Sequence, residues 1–153
     1  MTQDTRFRPR AAVYFLLIKD EKILLMRRFN TGWNDGNYSL AAGHIDGNES
    51  AEAAMIREAR EEIGITVKSE DLEFAHVSHR YAPDCEYIDF YFTASQWQGE
   101  PYNAEPNKCD EVAWYPLDAL PENVIPNVKE VIEHYANKRP YSIFGWETAQ
   151  VSA

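Results

Sequence analysis

Apolar and polar positions divide the chain into short strand-like runs and two helical stretches. Residues 11–18 form a continuous apolar run, which predicts a buried strand. Asp20-Glu21 makes a turn, and Lys22 to Arg27 returns as a strand with Ile23 and Leu25 alternating. Phe29 to Tyr38 is dense in Asn, Gly and Asp, so it reads as a loop with Trp33 at its tip. Tyr38 to Ala42 predicts a short strand that delivers Gly43 to a turn-rich loop ending at Glu49. A helix then runs from an N-cap at Ser50 to a C-cap at Gly64, with Met55, Ile56, Ala59 and Ile63 as its apolar side. Leu72 to Tyr81 and Tyr87 to Ala94 predict two strands around the turn Ala82-Pro83-Asp84-Cys85. A polar loop follows over 98–110, then a short strand from Glu111 to Tyr115, and a turn of helix over Leu117 to Pro121. Asn127 to Asn137 predicts a second full helix. The tail after Arg139 carries Tyr141, Phe144 and Trp146 and has two readings, packing on the body or on a partner such as a second copy in a homodimer.

This pattern by itself supports an α+β or α/β domain and nothing narrower. At 153 residues the chain predicts one domain, over 1–153, with one core. Aromatic content of 13% and apolar content of 44% argue against disorder. A formal net charge of −10 argues against broad attraction to nucleic acid or anionic membranes. An anionic substrate would need a local reversal of that field. Cys85 and Cys109 show neither metal-type spacing nor a disulfide framework, which fits reduced thiols in the cytoplasm. The first residues lack the apolar core of a signal peptide, and the run from Ala11 to Ile18 is too short to span a bilayer.

The chemistry concentrates in residues 43–65. At about 100° per residue, Glu61 and Glu62 lie one helical turn from Glu58, on either side of it. Like charges at that spacing cost an isolated helix roughly 0.2–0.5 kcal/mol per pair. Such a cluster suits a hard divalent cation held by oxygen ligands. The apolar stripe lies beside the acidic face, so one side of the helix packs and the adjacent side faces a cleft. Glu49 stands near the helix start, where the dipole favours an acid.

The spacing of Gly43, Glu49, Arg57, Glu58, Glu61, Glu62 and Gly64, with Ile65 in the last aliphatic slot, resembles the signature of the Nudix hydrolases. Ala59 fills the other aliphatic slot with a small side chain. Seven fixed residues coincide by chance at roughly one start in 10⁸. The resemblance implies an α/β/α sandwich with a mixed central sheet, and an enzyme that splits a pyrophosphate bond with Mg2+, for which Mn2+ can substitute. It implies metal ligation by Glu58, Glu61 and Glu62 and by the carbonyl of Gly43, with Arg57 orienting the carboxylates. The general base stays open between these glutamates and a carboxylate from a later loop. Ala41-Ala42 and Asn48 depart from the common Pro-Gly and Gly that flank the family loop, and Gly47 supplies flexibility nearby.

Beyond the box, the segment Trp97 to Trp114 is similar to that of MutT-type nucleoside triphosphate pyrophosphohydrolases. On that resemblance Glu105 supplies an extra metal carboxylate, with one more exposed acid as the structural alternative. Asn127 reads the base, or else caps the last helix. Arg27 and Arg28 precede the Asn30 to Asn37 loop as candidates for phosphate contact, and Trp33 either stacks on a base or packs under its loop. His76, His79 and Arg80 are read as structural, and Phe90 and Phe92 as core. The implied substrate is a small nucleotide, most simply a nucleoside triphosphate cut to monophosphate and pyrophosphate. The rivals are a nucleotide sugar, ADP-ribose, a dinucleoside polyphosphate, capped RNA, or a binding module that has lost catalysis.

Overall fold

The computed structural model describes residues 3–149. Among the described residues, nine strands and two α-helices follow in the order β1 (Arg10–Phe15), β2 (Ile18–Lys19), β3 (Lys22–Arg28), β4 (Tyr38–Ser39), β5 (Ala42–His44), α1 (Ala51–Ile63), β6 (Leu72–Ala82), β7 (Cys85–Ala94), β8 (Cys109–Pro116), α2 (Pro126–Ala136) and β9 (Tyr141–Phe144). A five-stranded mixed sheet has the order β5-β1-β7-β6-β9, with β1–β7 and β6–β9 parallel. In the second sheet β3 pairs with β2, β4 and β8, all antiparallel.

Both faces of the five-stranded sheet are covered, which is why β1 is apolar at consecutive positions rather than alternating. Val13 and Phe15 point to one face and pack with Met55, Ala59 and Ile63 of α1. Ala12 and Tyr14 point to the other and pack with Val128, Val131 and Ile132 of α2. The result is an α/β/α sandwich, as the resemblance implied.

Several expectations need correction. The apolar run 11–18 is two strands in two sheets, because the chain crosses between them at Leu16 and Leu17, both fully buried. Tyr38 to Ala42 is likewise split between β4 and β5, and Gly43 lies inside β5 opposite Val13 rather than opening a loop. Leu117 to Pro121 forms only a hydrogen-bonded turn, closed by Ala119 N–H to the Pro116 carbonyl. Ile56 is only half buried, and Ala54 takes its place in the core. The aromatic tail packs on its own body: β9 adds to β6, and Trp146 donates to the His79 carbonyl.

Helix α1 starts and stops where its sequence dictates. The Ser50 side chain accepts from Ala53 N–H, and Gly64 closes the helix in the left-handed region at φ 68°. A Cβ at Gly64 would overlap the Tyr102 ring, whose backbone N–H bonds the Ile63 carbonyl. Gly64→Ala should therefore lower the unfolding free energy by at least about 1 kcal/mol, a fall of roughly 2–4 °C in melting temperature. Adding Tyr102→Ala should restore the part due to overlap but not the part due to φ. Calorimetric melts of the single and double variants check this, and an unaltered melting temperature for Gly64→Ala would show the left-handed cap to be dispensable.

Candidate active site

The acidic face of α1 looks across a cavity of about 520 Å³ towards β3, β5 and the loop before β8. Gly43, Glu58, Glu61, Glu62, Glu105 and Arg28 all line it. Six positions from four parts of the chain thus meet as the sequence suggested. Glu58 is buried, Glu62 half-buried and Glu61 exposed. The contact between β5 and α1 is intimate: a Cβ on residue 43 would fall inside the Glu58 carboxylate. Only glycine lets that carboxylate lie against the strand backbone.

Arg57 holds the cluster together. Its Nε and Nη2 donate to the two oxygens of Glu49 at 3.1 and 2.7 Å. Its Nη1 donates to Glu58 at 2.7 Å and reaches Glu61 at 3.4 Å, and its Nη2 also meets the His44 carbonyl at 3.2 Å. Glu49 in turn accepts from Asp46 N–H at 2.7 Å. The acid expected at the helix start thus ties the loop to the helix through Arg57, a paired guanidinium–carboxylate fork. Glu62 accepts from Ala42 N–H at 2.9 Å. The 98–110 segment is anchored to the end of α1, since Ala104 N–H donates to the Glu62 carbonyl. That bond brings Glu105 to the cavity beside Glu62.

Burial raises the Glu58 carboxyl above its ordinary range, against the pull of Arg57. Burial raises Glu62 well above it, and the neighbouring Glu58 and Glu105 charges push the same way. Among the described residues, no three side chains already stand as a preformed metal cluster. The donor set still fits a hard cation: every group is an oxygen, and the Glu58 and Glu62 carboxylates line one cavity with the Arg57 guanidinium bonded to Glu58.

The remaining sequence candidates divide. Arg27 is spent on Asp110 at 2.7 Å and Glu111 at 3.6 Å, displaced by a bulge between Arg27 and Arg28. Arg28 bonds the Trp33 carbonyl and Thr31, lies 4.9 Å over the Trp33 ring, and lines the cavity. Trp33 does not pack under its loop: it is half exposed and lines a second, adjoining cavity. Asn127 is neither on the cavity wall nor the cap of α2. Ile125 is the cap, and Asn127 is 6% exposed in the first turn. The sequence did not single out Lys108, Cys109, Tyr14 or Tyr87, which line one cavity or the other. Nor did it reveal that Arg80 pairs with a buried acid, Asp89, at 2.7 Å. A lone Asp in the apolar run Tyr87 to Ala94 was the available signal. His76 is structural as expected, bonded to the Arg139 carbonyl and Ser142.

Comparison with known proteins identifies the family. The model of the NUDIX domain matches residues 7–135. An NAD-capped RNA hydrolase of Pseudomonas aeruginosa is 29% identical over 119 residues, covering 78% of this chain. The chain spans only 40% of that relative's length. An ADP-ribose pyrophosphatase of Methanocaldococcus jannaschii is 30% identical over 127 residues, 83% of this chain and 73% of the relative. The crystal structure of a MutT NUDIX hydrolase from Burkholderia pseudomallei superposes with a TM-score of 0.76 at 26% identity, covering 83% of this chain and 98% of that one.

The raised carboxyls set a pH dependence. A carboxyl whose folded pKa exceeds its unfolded value adds stability below the unfolded value and loses it as pH rises through the folded one. In EDTA, the contribution of Glu58 and Glu62 should therefore fade as pH climbs above 4.5, their ordinary value. Glu62→Gln should melt a few degrees above wild type near neutral pH, with the gap closing towards pH 4.5. Melting curves over that range test this, and parallel pH profiles would count against a strained carboxyl pair.

Proposed function

The chain belongs to the NUDIX domain family, and from that premise we propose that it is a divalent-metal-dependent hydrolase of phosphoric anhydrides. Its substrate on this reading is a nucleoside triphosphate, cleaved to monophosphate and pyrophosphate. The observation that carries the proposal is the convergence of Glu58, Glu61, Glu62 and Glu105 with Arg28 on one cavity, opposite a glycine strand that admits the Glu58 carboxylate.

Glu58, Glu61 and Glu62, the Gly43 carbonyl and Glu105 would hold magnesium, or manganese in its place. Bound there, such a cation neutralises anhydride oxygens and acidifies a water. The protein's own groups then do the rest. Arg28, with Lys108 on the same wall, offsets phosphate charge that a chain of net charge −10 would otherwise repel. Arg57 fixes the Glu58 carboxylate, which keeps one acceptor oxygen aimed for proton transfer. Glu62, fastened to Ala42 N–H, is held for ligation. Attack at phosphorus then depends mainly on positioning and charge stabilisation. The two free cysteines support a reducing, cytoplasmic setting. Among the described residues no helix is long and apolar enough to cross a membrane.

The second cavity favours one alternative, a nucleoside diphosphate linked to a further group, such as ADP-ribose. Product analysis separates the readings. A triphosphate cut between its α and β phosphorus atoms yields pyrophosphate, whereas ADP-ribose yields two monophosphates. Glu61→Gln and Glu62→Gln should each cut turnover by about 10²-fold or more while leaving circular dichroism unchanged. Full turnover in both variants would remove the glutamates from the chemistry.

A further inference from the structure

We propose that Arg80, locked in place by the buried Asp89, selects the base of the substrate, favouring a heterocycle with two adjacent hydrogen-bond acceptors on one edge. The inference rests on the nucleotide reading above and adds a specificity residue to it.

A cavity of about 370 Å³ adjoins the carboxylate cavity, and the two share Arg28, Ala42 and Gly43. Strand alternation explains the division. In β5, Gly43 faces Glu58 of α1, while Ala42 and His44 turn to the opposite face of the sheet, paired with Tyr14 and Ala12. A nucleotide whose phosphates meet the glutamates therefore reaches the second cavity across the Ala42–Gly43 backbone.

On that face stand Arg80 and Tyr87, directly paired across β6 and β7. Asp89 lies two pairs along and so on the same face, with its side chain fully buried, and the Arg80 side chain is 11% exposed. Nε and Nη2 of Arg80 donate to the two Asp89 oxygens at 2.7 and 3.4 Å. Among the described residues these are the guanidinium's only hydrogen bonds, so the outer edge formed by Nη1 and Nη2 keeps its donors. The guanidinium also lies 4.0 Å from the Tyr87 ring centre. An ion pair and an aromatic face thus hold it in one orientation before any ligand arrives. A fixed fork of two N–H groups matches two neighbouring acceptors and is mismatched to a donor beside an acceptor. Guanine and hypoxanthine present O6 beside N7, and adenine presents an amino group beside N7. Trp33, backed by Arg28 at 4.9 Å on the same cavity, offers an aromatic surface for the ring. If Arg80 merely neutralised Asp89, no base preference would follow.

Binding is the direct test, because it does not require turnover. Calorimetric titration of the wild-type protein with GMP, IMP and AMP, magnesium present, should give similar affinities for GMP and IMP. Each should bind about tenfold more tightly than AMP. Arg80→Lys keeps a charge beside Asp89 but loses the fork, and should shrink the preference to about twofold or less. The paired change Arg80→Gln with Asp89→Asn leaves no buried charge and should do the same, which covers the case in which the lysine variant folds poorly. Equal affinities in the wild type, absence of GMP binding, or a preference surviving in both variants would overturn the assignment. Guanine-selective binding with no hydrolysis of any anhydride leaves Arg80 as assigned and sinks the catalytic reading. Hydrolysis without base preference does the reverse.

Discussion

The site depends on one contact, the Glu58 carboxylate seated on the backbone of Gly43. It forces β5 against α1 at a separation that no side chain at position 43 would permit. A charge placed there without partners would be costly. Arg57 and the Ala42 amide offset that cost, the first through Glu58, Glu49 and Glu61, the second through Glu62. Removing one partner of such a buried set leaves the others uncompensated, so the box behaves as a unit.

The apolar stripe of α1 is what makes the arrangement tolerable. Ala54, Met55, Ala59 and Ile63 are all fully buried against Val13, Phe15 and Phe92. Burying a large apolar side chain contributes about 1.5–3 kcal/mol, several times the repulsion between neighbouring acids on the helix. The small Ala59 next to Glu58 lets the helix approach the sheet closely. Packing on one side thus holds charge on the other, and the carboxylates stay together because the helix cannot move away.

The second cavity follows from the same strand. β5 is only three residues long, and its alternation sends one backbone position to the glutamates and its neighbours to the opposite face. On the reading proposed above, phosphate chemistry and base selection are thereby separated by the thickness of one strand. The cationic groups are divided in the same way. Arg27 is neutralised by Asp110 and Glu111, Arg28 lies between the two cavities, and Arg80 is fixed by Asp89.

The box and both helices were legible in the sequence, because caps, helical periodicity and the acid spacing are local properties of a short segment. Ser50, Gly64 and the glutamate face stand where those rules put them. Glu105 was found only through resemblance, since its place beside Glu62 depends on a loop tied to the helix by backbone bonds. The splitting of 11–18 and of Tyr38 to Ala42 between two sheets was not legible, because an apolar run records burial but not which sheet buries it. Asn127 illustrates the same limit: its position before a helix fitted two roles, but the cap falls on Ile125 and Asn127 is buried in the first turn. Arg80 and Asp89 lie nine residues apart in the chain, and only the antiparallel register of β6 and β7 places them in contact. Sequence determined the groups that carry charge on each local element, and the tertiary structure alone decided which groups from different strands meet, because register and sheet order are set by long-range burial.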